Sequence, residues 1–320
     1  MRFLLNHSSS LRQRPKAYVV LNPGLLLGEL AILLASVGCS QAAAAPTLTP
    51  APSSTATPAP PTQTPPLVNW DLKWSDEFNS PDGSGIDESK WTPSDTPAWV
   101  NSELEYYTPR IQNVYIENPT GKNGMLVLKA LKEDYESREY TSGKLTTMGK
   151  FEQMYGRFEA SIQIPYGQGL WPAFWMLGVG GGWPLSGEID IFENIGKEPN
   201  IVHGTMHGPG YSGANGIGGP FALPGGERFA DGFHLFAVEW EPNVIRWYVD
   251  NQLYKTNTPA DLPEGAEWVY DHSFYLILNV AVGGGWPDYP DDTTVFPQIM
   301  KVDYVRVYVR PGGWPTSTPK

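Results

Sequence analysis

Three carboxylates stand within six residues, at Glu188, Asp190 and Glu193, separated by Ile189, Ile191 and Phe192. Alternating acidic and β-branched residues read as a strand, because successive side chains of a strand point to opposite faces. Glu188 and Asp190 then share one face, and Ile189 and Ile191 the other. Strict alternation would next put Phe192 beside the acids and bury Glu193 among the isoleucines, where an unpaired carboxylate is very costly. One extra residue near Ile191 and Phe192, a β-bulge, returns Glu193 to the acidic face. Carboxylates cluster in this way only where one holds a proton or a cation sits between them. A glutamic acid of raised pKa beside an ionised glutamate is the pairing of acid and nucleophile that cleaves glycosidic bonds. A solvated acidic face is the plainer reading, but the flanks are rich in Trp and Gly rather than Lys. A metal site is the other rival, and the local sequence offers it only His203 and His207 as further ligands.

The elements that must carry these residues are strands. Met125–Ala130 is a short apolar run, and Gly156–Ile164 and His234–Trp240 alternate. Ile245–Val249 and Gln252–Lys255 flank Asp250-Asn251, a two-residue hairpin signal. Phe274–Val280 and Val302–Tyr308 complete the set, and no amphipathic helical pattern of three turns appears. Many strands without helices predict an all-β fold, a two-sheet sandwich or a barrel. Trp171 and Trp175 share a strand face with Ala173 between them, while Trp183 and Trp286 follow the glycine runs 180–182 and 283–285. Sugar rings present apolar C–H faces that stack on indoles, and glycine-rich loops can approach a ligand closely. These four tryptophans are therefore expected to line a groove, whereas Trp240 and Trp247 read as core.

The motif Glu188–Glu193, preceded by Leu170–Leu177, resembles glycoside hydrolase family 16, in particular its laminarinase (endo-β-1,3-glucanase) branch. Ser75–Asn79, Asn101–Thr108, Thr141–Thr146, Tyr155–Ala160, Thr205–His207, Phe233–Phe236 and Val302–Tyr308 resemble further blocks of that family, in family order. The likeness runs over about residues 70–309. It implies an antiparallel β-jelly-roll sandwich with a substrate cleft on its concave face. It implies Glu188 as nucleophile, Glu193 as acid/base and Asp190 as the group that tunes them. The spacing of the acids is the longer of the family's two. The longer form is similar to that of laminarinases, agarases and carrageenases, the shorter to that of lichenases and xyloglucan transglycosylases. Asn101, Glu103, Arg157, Trp171, Trp175 and His207 match sugar-contacting positions, and Lys144 stands where relatives often have Arg. No cofactor is implied for catalysis. The resemblance does imply a structural calcium away from the cleft, with backbone carbonyls at Gly124 and Glu77 and the Asp303 carboxylate as ligands. A related galactan hydrolase and a non-catalytic glucan-recognition protein are the alternatives. The second usually lacks the glutamates that are present here.

Composition sets the address and excludes partners. The 320 residues are 18% charged and 12% aromatic, with 34 Gly and 31 Pro, a mix that suits a turn-rich β protein. Residues 1–39 carry +3 (Arg2, Arg12, Arg14 and Lys16 against Glu29), so the rest carries −15 of the −12 total. An acidic, Lys-poor body argues against nucleic acid and anionic membrane surfaces as its partners, and the resemblance implies a polysaccharide, β-glucan, instead. A basic start, an apolar stretch over 17–38 and small residues before Cys39 read as an export signal over 1–39. Cys39, the only cysteine, resembles the lipid-modified residue of bacterial lipoproteins, which would make a membrane tether. Residues 40–66, rich in Pro, Thr and Ala, read as a disordered linker. They lead into a catalytic domain over 67–310 and a tail over 311–320. The expected product is an extracellular or cell-surface monomer.

Overall fold

The computed structural model describes residues 69–314. The expected export signal, Cys39, the whole of the linker over 40–66 and residues 315–320 of the tail lie outside the described residues. In chain order the strands are β1 (Asp71–Asp76), β2 (Thr92–Pro93), β3 (Thr96–Pro97), β4 (Glu105–Tyr107), β5 (Val114–Glu117) and β6 (Met125–Tyr135). They continue as β7 (Arg138–Ser142), β8 (Lys144–Thr146), β9 (Gly156–Gln163), β10 (Leu170–Gly178), β11 (Glu188–Glu193) and β12 (Ile201–His207). The last six are β13 (Ile217–Ala222), β14 (His234–Glu241), β15 (Val244–Val249), β16 (Gln252–Asn257), β17 (Phe274–Val282) and β18 (Gln298–Val309). Among the described residues the only helices are single 3₁₀ turns. The hairpin signal folds as read: Asp250 and Asn251 both take positive φ and Val249 pairs with Gln252, as a tight hairpin turn requires. Past the boundary drawn at 310 the chain stays packed, with the Trp314 ring against Trp70 and Tyr155.

The strands form two sheets. The larger runs β16-β15-β14-β9-β18-β6-β7-β4-β3, with β1 and β5 added at its side, and the smaller runs β13-β12-β11-β10-β17-β8-β2. Every pairing is antiparallel except that of β4 with β7. Alternation sends Phe158, Ala160 and Ile162 of β9 and Phe174 and Met176 of β10 into one shared core. Trp240 and Trp247 are fully buried there, as the sequence suggested. Phe192 of the smaller sheet meets Phe236 of the larger at 4.2 Å between ring centroids. The Trp247 indole crosses from β15 to donate to the Asp190 carbonyl of β11 at 2.8 Å.

Arg157 corrects one expectation. Because Phe158 points into the core, its neighbour Arg157 points out of the larger sheet. The three acids face outward from the smaller sheet, on the other side of the sandwich. Arg157 there bonds Glu159 at 2.7 Å, Glu239 at 3.1 Å and Asn251 at 3.0 Å, with its guanidinium over the Tyr248 ring. It holds a structural ion-pair network and no part of the cleft. Its replacement by alanine would leave two nearly buried carboxylates unpaired. Arg157→Ala is thus expected to lower unfolding free energy by about 3 kcal/mol in a denaturant titration while oligosaccharide affinity stays unchanged. Weakened affinity at unaltered stability would return Arg157 to the sugar-contacting set.

Candidate active site

The site is built on the bulge that the acid spacing demands. Along β10, Leu177, Met176 and Trp175 pair with Glu188, Ile189 and Asp190, and Phe174 and Ala173 pair with Phe192 and Glu193, so Ile191 is the extra residue. On the other side, Glu188, Asp190 and Glu193 face His207, Thr205 and His203, and the register shifts between Asp190 and Glu193. Ile191 and Phe192 both enter the core, and Glu193 returns to the face of Glu188 and Asp190. A bulge leaves backbone groups without ladder partners, and the Trp247 N–H supplies one to the Asp190 carbonyl. Gly204, opposite the bulge, makes room for that indole: a Cβ there would lie 2.3 Å from Trp247 Cδ1.

Residues directly opposite one another in a sheet share a face, which maps the floor of the cleft. One row runs Lys144, Asn279, Ala173, Glu193 and His203. The next runs Thr146, Ile277, Trp175, Asp190 and Thr205. The third runs Tyr275, Leu177, Glu188 and His207. The tryptophans read as groove residues all reach this floor. Trp171 donates its N–H to Glu193 at 3.0 Å, and Trp183 donates to Glu188 from the loop before β11. Trp286 packs edge-on against Trp171 at 5.5 Å and against His203 at 5.0 Å. His207 Nε2 lies 3.1 Å from the Asp190 carboxylate. Gly216 leaves space for that imidazole, since a Cβ there would lie 2.3 Å from His207 Cε1.

A second layer holds the floor in place. Trp175 donates to Asn279 at 2.7 Å, Asn279 to the Tyr107 hydroxyl at 3.2 Å, and Tyr107 to Glu103 at 3.2 Å. Asn101 donates to the other Glu103 oxygen at 3.1 Å. Glu103 thus accepts from two sides with lone pairs left for hydroxyls in the cleft. Beneath it Glu105, wholly buried, accepts from the Val282 N–H at 2.8 Å. Burial, and then the charge of Glu103, push its carboxyl up to about 8. The Lys144 ammonium sits over the Trp175 and Tyr107 rings, and desolvation pulls its pKa down. Tyr107, Asn279 and Glu105 were not singled out from the sequence. Asn279 had a signal, as the one polar side chain amid the apolar run of β17.

Burial drives the electrostatics of the acids. It pushes Glu188 up to about 8, with the charge of Asp190 adding to it and His207 opposing it. It pushes Glu193 up to about 7, with the charge of Glu188 adding to it. Asp190 is also raised, by burial and then by Glu193. Carboxyls this close titrate as one set, so near neutrality the cluster retains a proton that it can give to a bound oxygen. Ligand atoms of Glu188, Asp190 and His207 lie within 4.8 Å of one another, so the same cluster has the spacing of a cation site. The indole N–H donors on Glu188 and Glu193 suit carboxylates that carry charge during a reaction.

The expected calcium ligands occupy the larger sheet and its border. Gly124 lies against the Phe78 carbonyl and donates to Asn79 at 3.1 Å. The Glu77 carboxylate is taken by Arg306 at 2.8 and 2.9 Å, which leaves only its backbone oxygen for a cation. Burial raises the Asp303 pKa against the opposing charge of Arg306, with Glu77 adding to the rise, and no donor among the described residues hydrogen-bonds its carboxylate. A carboxylate and backbone carbonyls are the oxygen donors that a hard cation prefers.

Comparison with known proteins agrees with this geometry. Residues 109–306 match the family described as glycosyl hydrolases family 16. A beta-glucanase of Rhodothermus marinus is 43% identical over 254 residues, covering 75% of this chain and 85% of that protein. The catalytic domain of an endo-1,3-beta-glucanase (laminarinase) from Thermotoga petrophila superposes with a TM-score of 0.71 at 46% identity, covering 76% of this chain and 99% of that one. The endo-beta-1,3-glucanase of Pyrococcus furiosus gives a TM-score of 0.70 at 47% identity, covering 75% and 95% of the two chains. The two-sheet sandwich is thus the jelly roll of these enzymes, and catalysis in the family needs no cofactor. With its bulged acidic strand, its indole-lined cleft and this match over most of the described residues, the chain belongs to glycosyl hydrolases family 16.

Proposed function

We propose that the chain is a retaining, endo-acting hydrolase of β-1,3-glucan. The observation that carries this reading is the pair Glu188 and Glu193. They stand on one face of one bulged strand, each receives an indole N–H, and Asp190 lies between them. Two glutamates on one strand can lean toward one sugar and leave little room for a water between carboxylate and anomeric carbon. That arrangement favours direct attack over activation of water. Following the family's pattern, Glu188 attacks the anomeric carbon while Glu193 protonates the departing oxygen. Glu193, then ionised, takes a proton from the water that releases the sugar from Glu188. The substrate follows from the relatives, which include glucan endo-1,3-beta-glucosidases and laminarinases, and from the indoles of Trp171, Trp183 and Trp286 around the acids. Cleft segments poor in Lys and Arg do not suit a sulfated galactan.

The substrate assignment is checked by reducing-sugar release from laminarin, lichenan, agarose and carrageenan. Laminarin is expected to be cut fastest, and activity on agarose with none on laminarin contradicts the reading. Within the pair, Glu193→Gln is expected to lower kcat on laminarin by about 10²–10⁴-fold, the usual contribution of a general acid. It should keep activity on an aryl glycoside whose leaving group needs no proton, with azide restoring turnover. Glu188→Gln is expected to be inactive on both, and equal inactivity of the two variants on the aryl glycoside would show the roles to be wrong. Asp190→Asn should cost less than either.

The retained proton sets a pH dependence. Glu188 and Glu193 are raised to about 8 and about 7, so the proton is present at lower pH and leaves as pH rises through that range. Activity on laminarin is therefore expected to fall on an alkaline limb between about pH 7 and 8. A limb confined to pH values near 5 would mean that the cluster holds no such proton.

We further propose that a calcium ion, held through Gly124, Glu77 and Asp303, stabilises the fold without entering the chemistry. Calcium is expected to raise Tm and to leave turnover unchanged where the calcium-free protein is folded. An Asp303→Ala variant with an unaltered calcium response overturns the assignment. The basic and apolar N-terminal stretch with its small residues and Cys39 supports export, with a lipid tether at that cysteine.

A further inference from the structure

The segment Arg310–Trp314 follows β18 and lies beyond residue 306, where the family match stops. Its Gly313 N–H donates to the Arg310 carbonyl at 3.0 Å, with Pro311 second in the turn and Gly312 third at a φ of 76°. This is a type II turn, which suits the fixed φ of proline and then needs a residue free to take positive φ. The turn returns the chain to the domain, where the Trp314 ring meets Tyr155 at 6.2 Å and Trp70 at 6.3 Å. Sequence alone marked this stretch only as a Pro- and Gly-containing tail, and the catalytic chemistry makes no use of it.

Beside the turn lies a groove of about 770 Å³, a size that suits a small organic ligand or a few sugar units. Its other walls come from β1, from the connection between β8 and β9, and from the turn after β14. It opens at the end of the sandwich where β14 and β18 finish and β9 and β17 begin. None of its lining residues belongs to β10, β11 or β12, and none lies in the cross-strand rows of the cleft floor. The groove is thus a separate place on the molecule.

The lining sets the chemistry of a ligand. Trp314 and Tyr155 offer ring surface for the C–H faces of sugars. Around them stand two acids, Asp71 and Asp271, and two bases, Lys73 and Arg310, so the charge of the groove sums to zero. A strongly charged partner gains no net attraction there. No ion pair joins Asp71, Lys73 or Arg310 to another described residue, and Asp271 has only His272, at 3.7 Å. Their donors and acceptors are therefore free for hydroxyl groups. The Arg310 guanidinium lies over the Trp314 ring at 5.2 Å, which places a donor beside a stacking surface.

We propose that this groove is a second glycan-binding site, which holds a strand of β-glucan without cutting it. The choice of glucan rests on the β-1,3-glucanase reading above. On a solid substrate a second contact keeps the cleft at high local concentration over further strands. On a short soluble chain, which reaches one site at a time, it contributes nothing.

The test compares particulate β-1,3-glucan with soluble laminarihexaose, using the full chain and two variants. Trp314→Ala is expected to lower both retention on the particles and the rate of sugar release from them by about tenfold. Its kcat/KM on laminarihexaose is expected to change by less than about twofold. Asp271→Ala combined with Arg310→Ala keeps the net charge and both rings, and it is expected to show the same selective loss. Equal retention of the wild type and both variants on the particles overturns the proposal. So does an equal loss on both substrates, which would mean that the groove supports the fold of the cleft. A wild-type dimer that Trp314→Ala turns into a monomer also overturns it, by making the groove a contact between two copies of this chain. Failure of the wild-type enzyme on laminarihexaose would remove the β-1,3-glucanase reading, and that arm reports it separately, because retention on the particles needs no catalysis.

Discussion

Three carboxyl groups on one face of β11 repel one another, and the surrounding structure is arranged to hold them there. The bulge at Ile191 is the constraint from which this follows. It lets two consecutive apolar residues enter the core while Glu193 comes back to the acidic face. A regular strand would have to bury the glutamate or expose Phe192, and either costs more than one irregular pairing. The extra residue breaks the ladder, and the Trp247 indole reaches through the core from the opposite sheet to satisfy the carbonyl of Asp190. The position of the acids is thus tied to the packing of both sheets.

Around this strand the aromatic residues act as hydrogen-bond donors as much as stacking surfaces. Trp183 and Trp171 each hold one glutamate, and Trp175 starts the chain of donors through Asn279 and Tyr107 to Glu103. Each link leaves its acceptor oriented toward the cleft, so a hydroxyl-rich substrate meets groups already aimed at it. Buried Glu105 and the desolvated Lys144 ammonium lie in the same region. Together they bring charge and aromatic surface to the end of the cleft away from His203.

Much of this was legible in the sequence because side-chain parity is a strong constraint. Parity alone demanded the bulge, and it put Trp171 and Trp175 on one face. Parity does not say which sheet a strand joins, and this is why Arg157 was misplaced. Its strand alternates as well as β11 does, but β9 lies in the larger sheet, where outward means away from the substrate. The donor chain was hidden for a related reason. Tyr107 and Asn279 are 172 residues apart in the chain, and only the pairing of β17 between β10 and β8 brings them together.

The central claim is that Glu188 attacks the sugar directly while Glu193 supplies the proton. Carboxyl groups about 5–5.5 Å apart give a covalent intermediate and retention, whereas a separation of about 6.5–9.5 Å admits a water and gives inversion. Proton NMR of the reducing end during the first minutes of laminarin hydrolysis separates the two outcomes before mutarotation mixes them. Direct attack requires the β-anomer to form first. Initial formation of the α-anomer would mean that Glu188 activates a water instead of bonding to the sugar.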